Sequence, residues 1–254
     1  MTTLAKIALG PVLLAQARAA RKRAVALPEA EGPRAGEMPG RGRMLTLLFV
    51  GDSSAAGVGV PHLDAAFVGH LTRTLHRLTG RPLRWRVAAK SGVSSDHALS
   101  LLDTLDAEAP RTRAELAVVL LGVNDVIEQI PPHRALLGRQ ALLDRLCARH
   151  GVRHTVFTPL PPMNEFPLLP NPLRAVVGRD ARRLDAAVAR WADGRHDVSH
   201  PLVDMHLGSD VMAADGFHPG EPVYRVCGEA VAGHIAQRVL PILDNDHDHD
   251  RRQP

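Results

Sequence analysis

Five short apolar runs limit what this chain can fold into. They occupy residues 44–50, 83–88, 115–121, 153–157 and 198–203. Each has the length of a strand, and the runs 44–50 and 115–121 are apolar at successive positions, as strands buried on both faces are. Segments with helical spacing lie between them. Residues 63–78 place Phe67, Leu71, Leu75 and Leu78 on one face. Residues 95–105 follow a Ser94 or Ser95 cap, and residues 134–149 end at Gly151. Residues 172–191 begin with Pro172 in the first position and Asn171 as cap, and residues 221–240 make the last helix. Strand and helix alternate throughout. The expected fold is α/β: a three-layer α/β/α sandwich around a parallel sheet of about five strands, flavodoxin-like in kind.

The 254 residues are 45% hydrophobic, enough for one sizeable core. The pattern predicts a single catalytic domain over 44–243, preceded by a helix and linker over 1–43 and followed by a disordered tail over 244–254. Residues 4–20 are apolar and alanine-rich, and Arg21-Lys22-Arg23 follows. A cleaved signal, with Ala15-Gln16-Ala17 at the cut, fits poorly because the positive charge lies mostly after the apolar stretch. An amphipathic helix over 4–23 fits better, packed on the domain or touching a membrane surface peripherally. Residues 28–43, rich in Pro, Gly, Glu and Arg, read as a linker or irregular wrap. The expected location is the cytoplasm or a membrane surface rather than the exterior.

The net charge is +4, almost all from arginine, since Lys6, Lys22 and Lys90 are the only lysines. Such a balance suits anionic surfaces or substrates. No basic stripe with interleaved aromatics appears, so nucleic acid is not an expected partner. Cys147 and Cys227 sit in helix-like apolar patterns and are expected to be buried and reduced. His196 and His200 read as surface residues. His247 and His249 stand in an acidic tail that reads as solvated rather than as a cation site. No phosphate loop or dinucleotide fingerprint is present, and neither metal nor cofactor is expected.

The chemistry concentrates at strand ends. Val50-Gly51-Asp52-Ser53 closes the first run, where open α/β sheets place their ligands. Three later fragments fall in comparable loops: Ser91-Gly92-Val93-Ser94, Gly122-Val123-Asn124-Asp125 and Asp215-Gly216-Phe217-His218. A serine hydroxyl needs a base, and the base needs an orienting carboxylate. Asp215 and His218, three apart in one turn, supply both to Ser53. Backbone N–H groups of Ser53 and Gly92, with the Asn124 amide, are candidate oxyanion donors. The proline-rich stretch 158–171 is either a packed surface loop or an apolar lip, with Leu160, Met163 and Phe166 as candidate substrate contacts.

These fragments resemble the four blocks of the SGNH hydrolases, also called GDSL-like esterases and lipases. Gly51-Asp52-Ser53 is similar to the first block, Gly92 to the glycine of the second, Gly122-x-Asn124-Asp125 to the third and Asp215-x-x-His218 to the last. Residues 159–163, with Phe166-Pro167, resemble a bacterial lysophospholipase- or arylesterase-like subgroup. Three positions depart from the pattern: Ser54 for leucine or isoleucine, Lys90 for asparagine, and Ser95 for glycine. The resemblance implies Ser53 as nucleophile, His218 as base, Asp215 as its orienting acid, and Gly92 and Asn124 in the oxyanion hole. It implies a serine esterase acting on lipid-like or small aryl and alkyl esters. An acyltransferase or deacetylase on carbohydrate or envelope material is the alternative, followed by a catalytically silent binding module.

Overall fold

The structure is a computed structural model describing residues 9–109 and 112–245. Six strands form one mixed sheet: β1 (Ala35–Met38), β2 (Leu45–Gly51), β3 (Leu83–Ala89), β4 (Leu116–Leu120), β5 (His154–Phe157) and β6 (Val198–Ser199). Their order is β1-β3-β2-β4-β5-β6. The five from β2 to β6 run parallel, in the flavodoxin-like order. Seven α-helices accompany them among the described residues: α1 (Gly10–Arg23), α2 (Phe67–Thr79), α3 (Ala98–Glu108), α4 (Val123–Ile127), α5 (Pro132–Arg145), α6 (Leu173–Ala192) and α7 (Glu221–His234).

Consecutive apolar positions in β2, β3, β4 and β5 feed both faces of the sheet. Leu47 and Phe49 join Val87, Leu116, Val118 and Val156 on the face covered by α2 and α7. Leu48 and Val50 join Ala88, Ala117, Val119 and Phe157 beneath α3, α5 and α6. The result is an α/β/α sandwich with a core on each side. All the parallel strands point their C-terminal ends at the same rim, and the loops carrying the chemistry leave from there.

The sixth strand arises in the stretch read as linker. β1 pairs antiparallel with β3, and Gly36 lies against the Trp85 ring where a side chain would collide. Four residues containing a glycine carry no apolar alternation, so only the backbone ladder with β3 reveals the strand. At the other edge the expected strand 198–203 stops at Ser199. Pro201 removes the donor that a longer ladder needs.

Other local expectations change as well. Helix α2 begins at Phe67, after a 3₁₀ turn at Leu63–Ala65, and Leu78 in its last turn is exposed. Asn171 does not cap α6. The cap position belongs to Pro172, and the first helical N–H, on Leu173, donates to Gln16 Oε1 at 3.0 Å. Gln16 Nε2 donates back to the Asn171 carbonyl at 2.7 Å. Thus α1 docks on the domain through a glutamine that serves another helix, with Ala20 buried beneath it. Residues 4–8 of the expected amphipathic segment lie outside the described residues, as do His247 and His249. No described helix is long and apolar enough to cross a membrane. Asp244, read as part of the tail, accepts from Arg43 at 2.8 Å and Arg81 at 3.1 Å.

Both cysteines are free, but Cys147 is exposed and only Cys227 is partly buried. His196 is exposed, whereas the His200 side chain is buried. Its Nδ1 donates to the Phe157 carbonyl at 2.9 Å and its Nε2 lies 3.1 Å from Asp185. The end of β5 and α6 meet around this ring, a pairing that its surroundings in the chain do not signal.

Candidate active site

After Gly51 the chain turns tightly rather than entering a helix. Ala56 N–H donates to the Asp52 carbonyl at 3.0 Å and Val58 N–H to the Ser53 carbonyl at 3.0 Å. This coil holds Ser53 at the rim of the sheet. Gly59, with φ of 107°, packs where any side chain would strike the Pro219 carbonyl. The loop carrying His218 can therefore lie directly on the loop carrying Ser53.

The three predicted side chains form one line. His218 Nε2 is 3.1 Å from Ser53 Oγ, and His218 Nδ1 is 2.6 Å from Asp215 Oδ2. A carboxylate at that distance requires the proton on Nδ1, which leaves Nε2 free to accept from the hydroxyl. The second Asp215 oxygen accepts from Phe217 N–H and His218 N–H, both at 3.0 Å. Burial works to raise the Asp215 carboxyl, but the bonds from the His218 ring and these two backbone groups outweigh it and hold it below the ordinary carboxylate range. The acid stays ionised and aimed. Phe217 stacks edge-on against both Phe166 and the His218 ring, with centroids 5.2 Å apart in each case.

The oxyanion candidates come from neighbouring strand ends. Gly92 sits in an exposed turn beyond β3, and Asn124 opens α4 beyond β4. Asn124 Nδ2 donates to the Val93 carbonyl at 2.9 Å and lies 3.4 Å from Asp52 Oδ2. One amide thus touches the two other loops of the site. Lys90 is exposed, with its backbone N–H on the Gly51 carbonyl at 3.2 Å.

A family model for GDSL-like lipases and acylhydrolases matches residues 49–226. The chain belongs to that family. The GDSL-like esterase Rv1075c of Mycobacterium tuberculosis (strain ATCC 25618 / H37Rv) is 27% identical over 209 residues, which cover 78% of this chain. This chain spans 64% of the length of that relative. Among solved structures, the lipase Lip_vut3 from a goat rumen metagenome aligns with a TM-score of 0.60 at 16% identity, over 77% of this chain and 99% of that one. The psychrotrophic esterase EstA from Pseudoalteromonas sp. aligns at 0.55 and 19%, over 75% and 98%. These structures share the fold.

Two supports of this GDSL-like site were not anticipated. The first is a buried cluster at the position where Ser95 replaces the family's usual glycine. Ser95 N–H and Oγ donate to the two Asp125 oxygens, each at 2.7 Å. Arg139 donates to Ser95 Oγ at 2.6 Å, to Asp125 Oδ2 at 2.9 Å and to the Leu121 carbonyl at 2.9 Å. Burial pulls the Arg139 guanidinium below its usual range, opposed by Asp125, and it remains a cation. One side chain therefore joins the Gly92 loop to the Asn124 loop. Its signal was present in the sequence: Arg139 falls at helical spacing among Ala135, Leu142, Leu143 and Leu146, all buried.

The second support comes from outside the family match. Glu29 Oε1 accepts from Ser91 N–H at 2.7 Å and from Ser91 Oγ at 3.0 Å. Arg34 donates to Glu29 at 2.6 Å and to the Ala89 carbonyl at 3.1 Å. Burial works to raise the Glu29 carboxyl, but the Ser91 and Arg34 contacts outweigh it and hold it low. The stretch read as linker thus pins the residue before Gly92. Replacing Glu29 with glutamine is expected to lower kcat about 10- to 100-fold, the scale of a misplaced positioning group. Steady-state kinetics beside a thermal melt checks this, and an unchanged kcat would remove Glu29 from the site.

Leu160, Met163 and Phe166 are all buried rather than forming an open lip. Phe166 lines the cleft over Ser53 and His218, together with Leu207, Met212 and Phe217. Met163 packs in the core and borders neither that cleft nor the hollow behind it. The loop folds inward because its apolar residues have more to bury than its prolines have to expose.

Asp52 gives the site a pH signature. Burial pushes its carboxyl up from 3.8 to about 6; Ser54 N–H and His218 pull it back, and Asp125 adds to the rise. A raised folded value means that the folded protein keeps a proton which the unfolded chain releases. The stabilisation from this group is full below the unfolded value and is lost as pH rises through the folded one, roughly 3 kcal/mol in all. Relative to wild type, Asp52→Asn should gain about that much between pH ~4 and ~7.5 in urea titrations. Parallel pH profiles of the two proteins would exclude it.

Proposed function

We propose that the chain is a serine esterase that cleaves carboxylic esters through an acyl-serine intermediate. The observation that carries this reading is the unbroken line from Ser53 Oγ through the His218 ring to Asp215 Oδ2, at 3.1 and 2.6 Å. Ser53 Oγ attacks the ester carbonyl as its proton passes to His218 Nε2. The charge then on the carbonyl oxygen is met by the N–H groups of Ser53 and Gly92 and by the Asn124 amide. Collapse breaks the bond to the alcohol, which leaves with the proton from His218. Water attacks the acyl-serine, His218 takes one of its protons, and Ser53 regains it as the free acid departs. Asp215 holds the ring and stabilises its charged form throughout.

Membership of the GDSL-like lipase and acylhydrolase family supports ester hydrolysis as the reaction class. The test is a fluorophosphonate probe followed by peptide mass mapping, beside hydrolysis of nitrophenyl esters. The adduct is expected on Ser53, with loss of activity in step with labelling. A different labelled residue, or full activity after labelling, overturns the assignment. Asn124→Ala is expected to cost about 10²- to 10³-fold in kcat, as loss of one oxyanion donor does. A matching fall in thermal stability would assign Asn124 a structural role instead.

A further inference from the structure

A second hollow lies behind the cleft, between the sheet and the pair α2 and α7. Its wall includes Phe67 of α2, Leu120 of β4, Leu160 beyond β5, Met205 beyond β6, and Val223 and Cys227 of α7. Ser54, Val123, Pro161 and Pro219 line both this hollow and the Ser53–His218 cleft. Ser54 follows the candidate nucleophile and Pro219 follows the candidate base. Two of the four residues that the spaces share are thus chain neighbours of the candidate triad.

We propose that this hollow is the acyl-binding site, taking a short straight acyl chain whose carbonyl stands at Ser53 and whose tail passes Ser54 and Pro219. The proposal rests on the esterase reading and adds the substrate class. Its lining offers a polar ligand little. Tyr224 spends its hydroxyl on the Val58 carbonyl at 2.6 Å, and Asp52 accepts from Ser54 N–H at 2.9 Å. The Cys227 sulfur lies 3.9 Å from the Met205 sulfur. Burial pushes the Cys227 thiol up to about 12, so it stays neutral and acts as a small hydrophobe rather than a nucleophile. What such a wall favours is an apolar chain leaving water.

Size sets the length. The volume is about 70 Å³, on a scale where one water needs about 10–15 Å³. That is room for about five water-sized groups, so butanoyl and hexanoyl chains fit and dodecanoyl does not. An acetyl group leaves the space unfilled. Cys227 lies on α7 in the wall of the hollow, where a change of side-chain volume alters the space without replacing any candidate triad residue.

The test measures kcat/KM for nitrophenyl acetate, butanoate, hexanoate, octanoate and dodecanoate. Wild type is compared with Cys227→Phe, which fills the hollow, and Cys227→Ala, which enlarges it, with a thermal melt of each. Wild type is expected to rise about tenfold from acetate to butanoate or hexanoate, since a methylene in an apolar pocket is worth at least about that, and then to fall by dodecanoate. Cys227→Phe should erase the rise, and Cys227→Ala should move the maximum to a longer chain. If Cys227→Phe does not fold, the alanine arm decides alone. Acetate cleaved best by wild type, or one chain-length profile in all folded variants, overturns the acyl site and leaves the esterase standing. No cleavage of any ester and no labelling of Ser53 overturns both.

Discussion

Replacing Ser53 with alanine is expected to lower ester hydrolysis by about 10⁴-fold or more while leaving the thermal midpoint where it was. The rate falls because, among the described residues, no other hydroxyl stands on His218 Nε2, which lies 3.1 Å from Ser53 Oγ. The fold survives because Ser53 contributes its backbone, not its side chain, to the coil after β2, through its carbonyl bond to Val58 N–H. His218→Ala should cost a similar factor, and the double variant little more than either single one, since groups acting as a unit are not additive. The measurement is kcat on a nitrophenyl ester for the four proteins. A double variant slower by the product of the two single losses would show that the residues act separately and would dissolve the triad.

Replacing Arg139 with leucine is expected to destabilise the protein by about 3–5 kcal/mol. Asp125 is fully buried, and Arg139 is 1% exposed. Removing the guanidinium leaves the carboxylate without its counter-charge, and Ser95 Oγ and the Leu121 carbonyl without a donor. Leaving such groups buried and unpaired costs more than the intact pair contributes. Urea unfolding measures the loss directly. Arg139→Lys should recover only part of it, because an ammonium cannot present the same fork to Asp125 and Leu121. The double replacement Arg139→Leu with Asp125→Leu should lose less than the sum of the singles. Wild-type stability in Arg139→Leu would mean that the cluster holds nothing. Because Ser95 lies three residues after Gly92 and Asp125 adjoins Asn124, the destabilised variant should also turn over more slowly than wild type.

The elements and motifs were legible because they are written locally. A strand buried on both faces must be apolar at successive positions, as Leu47, Leu48, Phe49 and Val50 are. A helix with one buried face must repeat near every fourth residue, as Phe67, Leu71 and Leu75 do. Strand β1 escaped because an edge strand held by its backbone needs no apolar pattern. Asn171 misled because a residue that could cap was bypassed by Gln16, brought in from another helix. Arg139 had a local signal, a charge on an apolar face, but its acceptors Ser95, Asp125 and Leu121 had none.

By itself, then, the sequence determined the alternating α/β order, the strand ends where chemistry gathers, and the residue types assembled there. Tertiary structure alone decided who meets whom. Ser53 and His218 are 165 residues apart, and Glu29 and Ser91 are 62 apart. No periodicity carries such pairings, because they depend on the path of the whole chain around the sheet. The hollow behind Ser53 was less legible still. It is the space left where α2, α7 and the loops at the strand ends fail to fill the sheet's face, and such a space follows from how the surfaces fit rather than from any single stretch of residues.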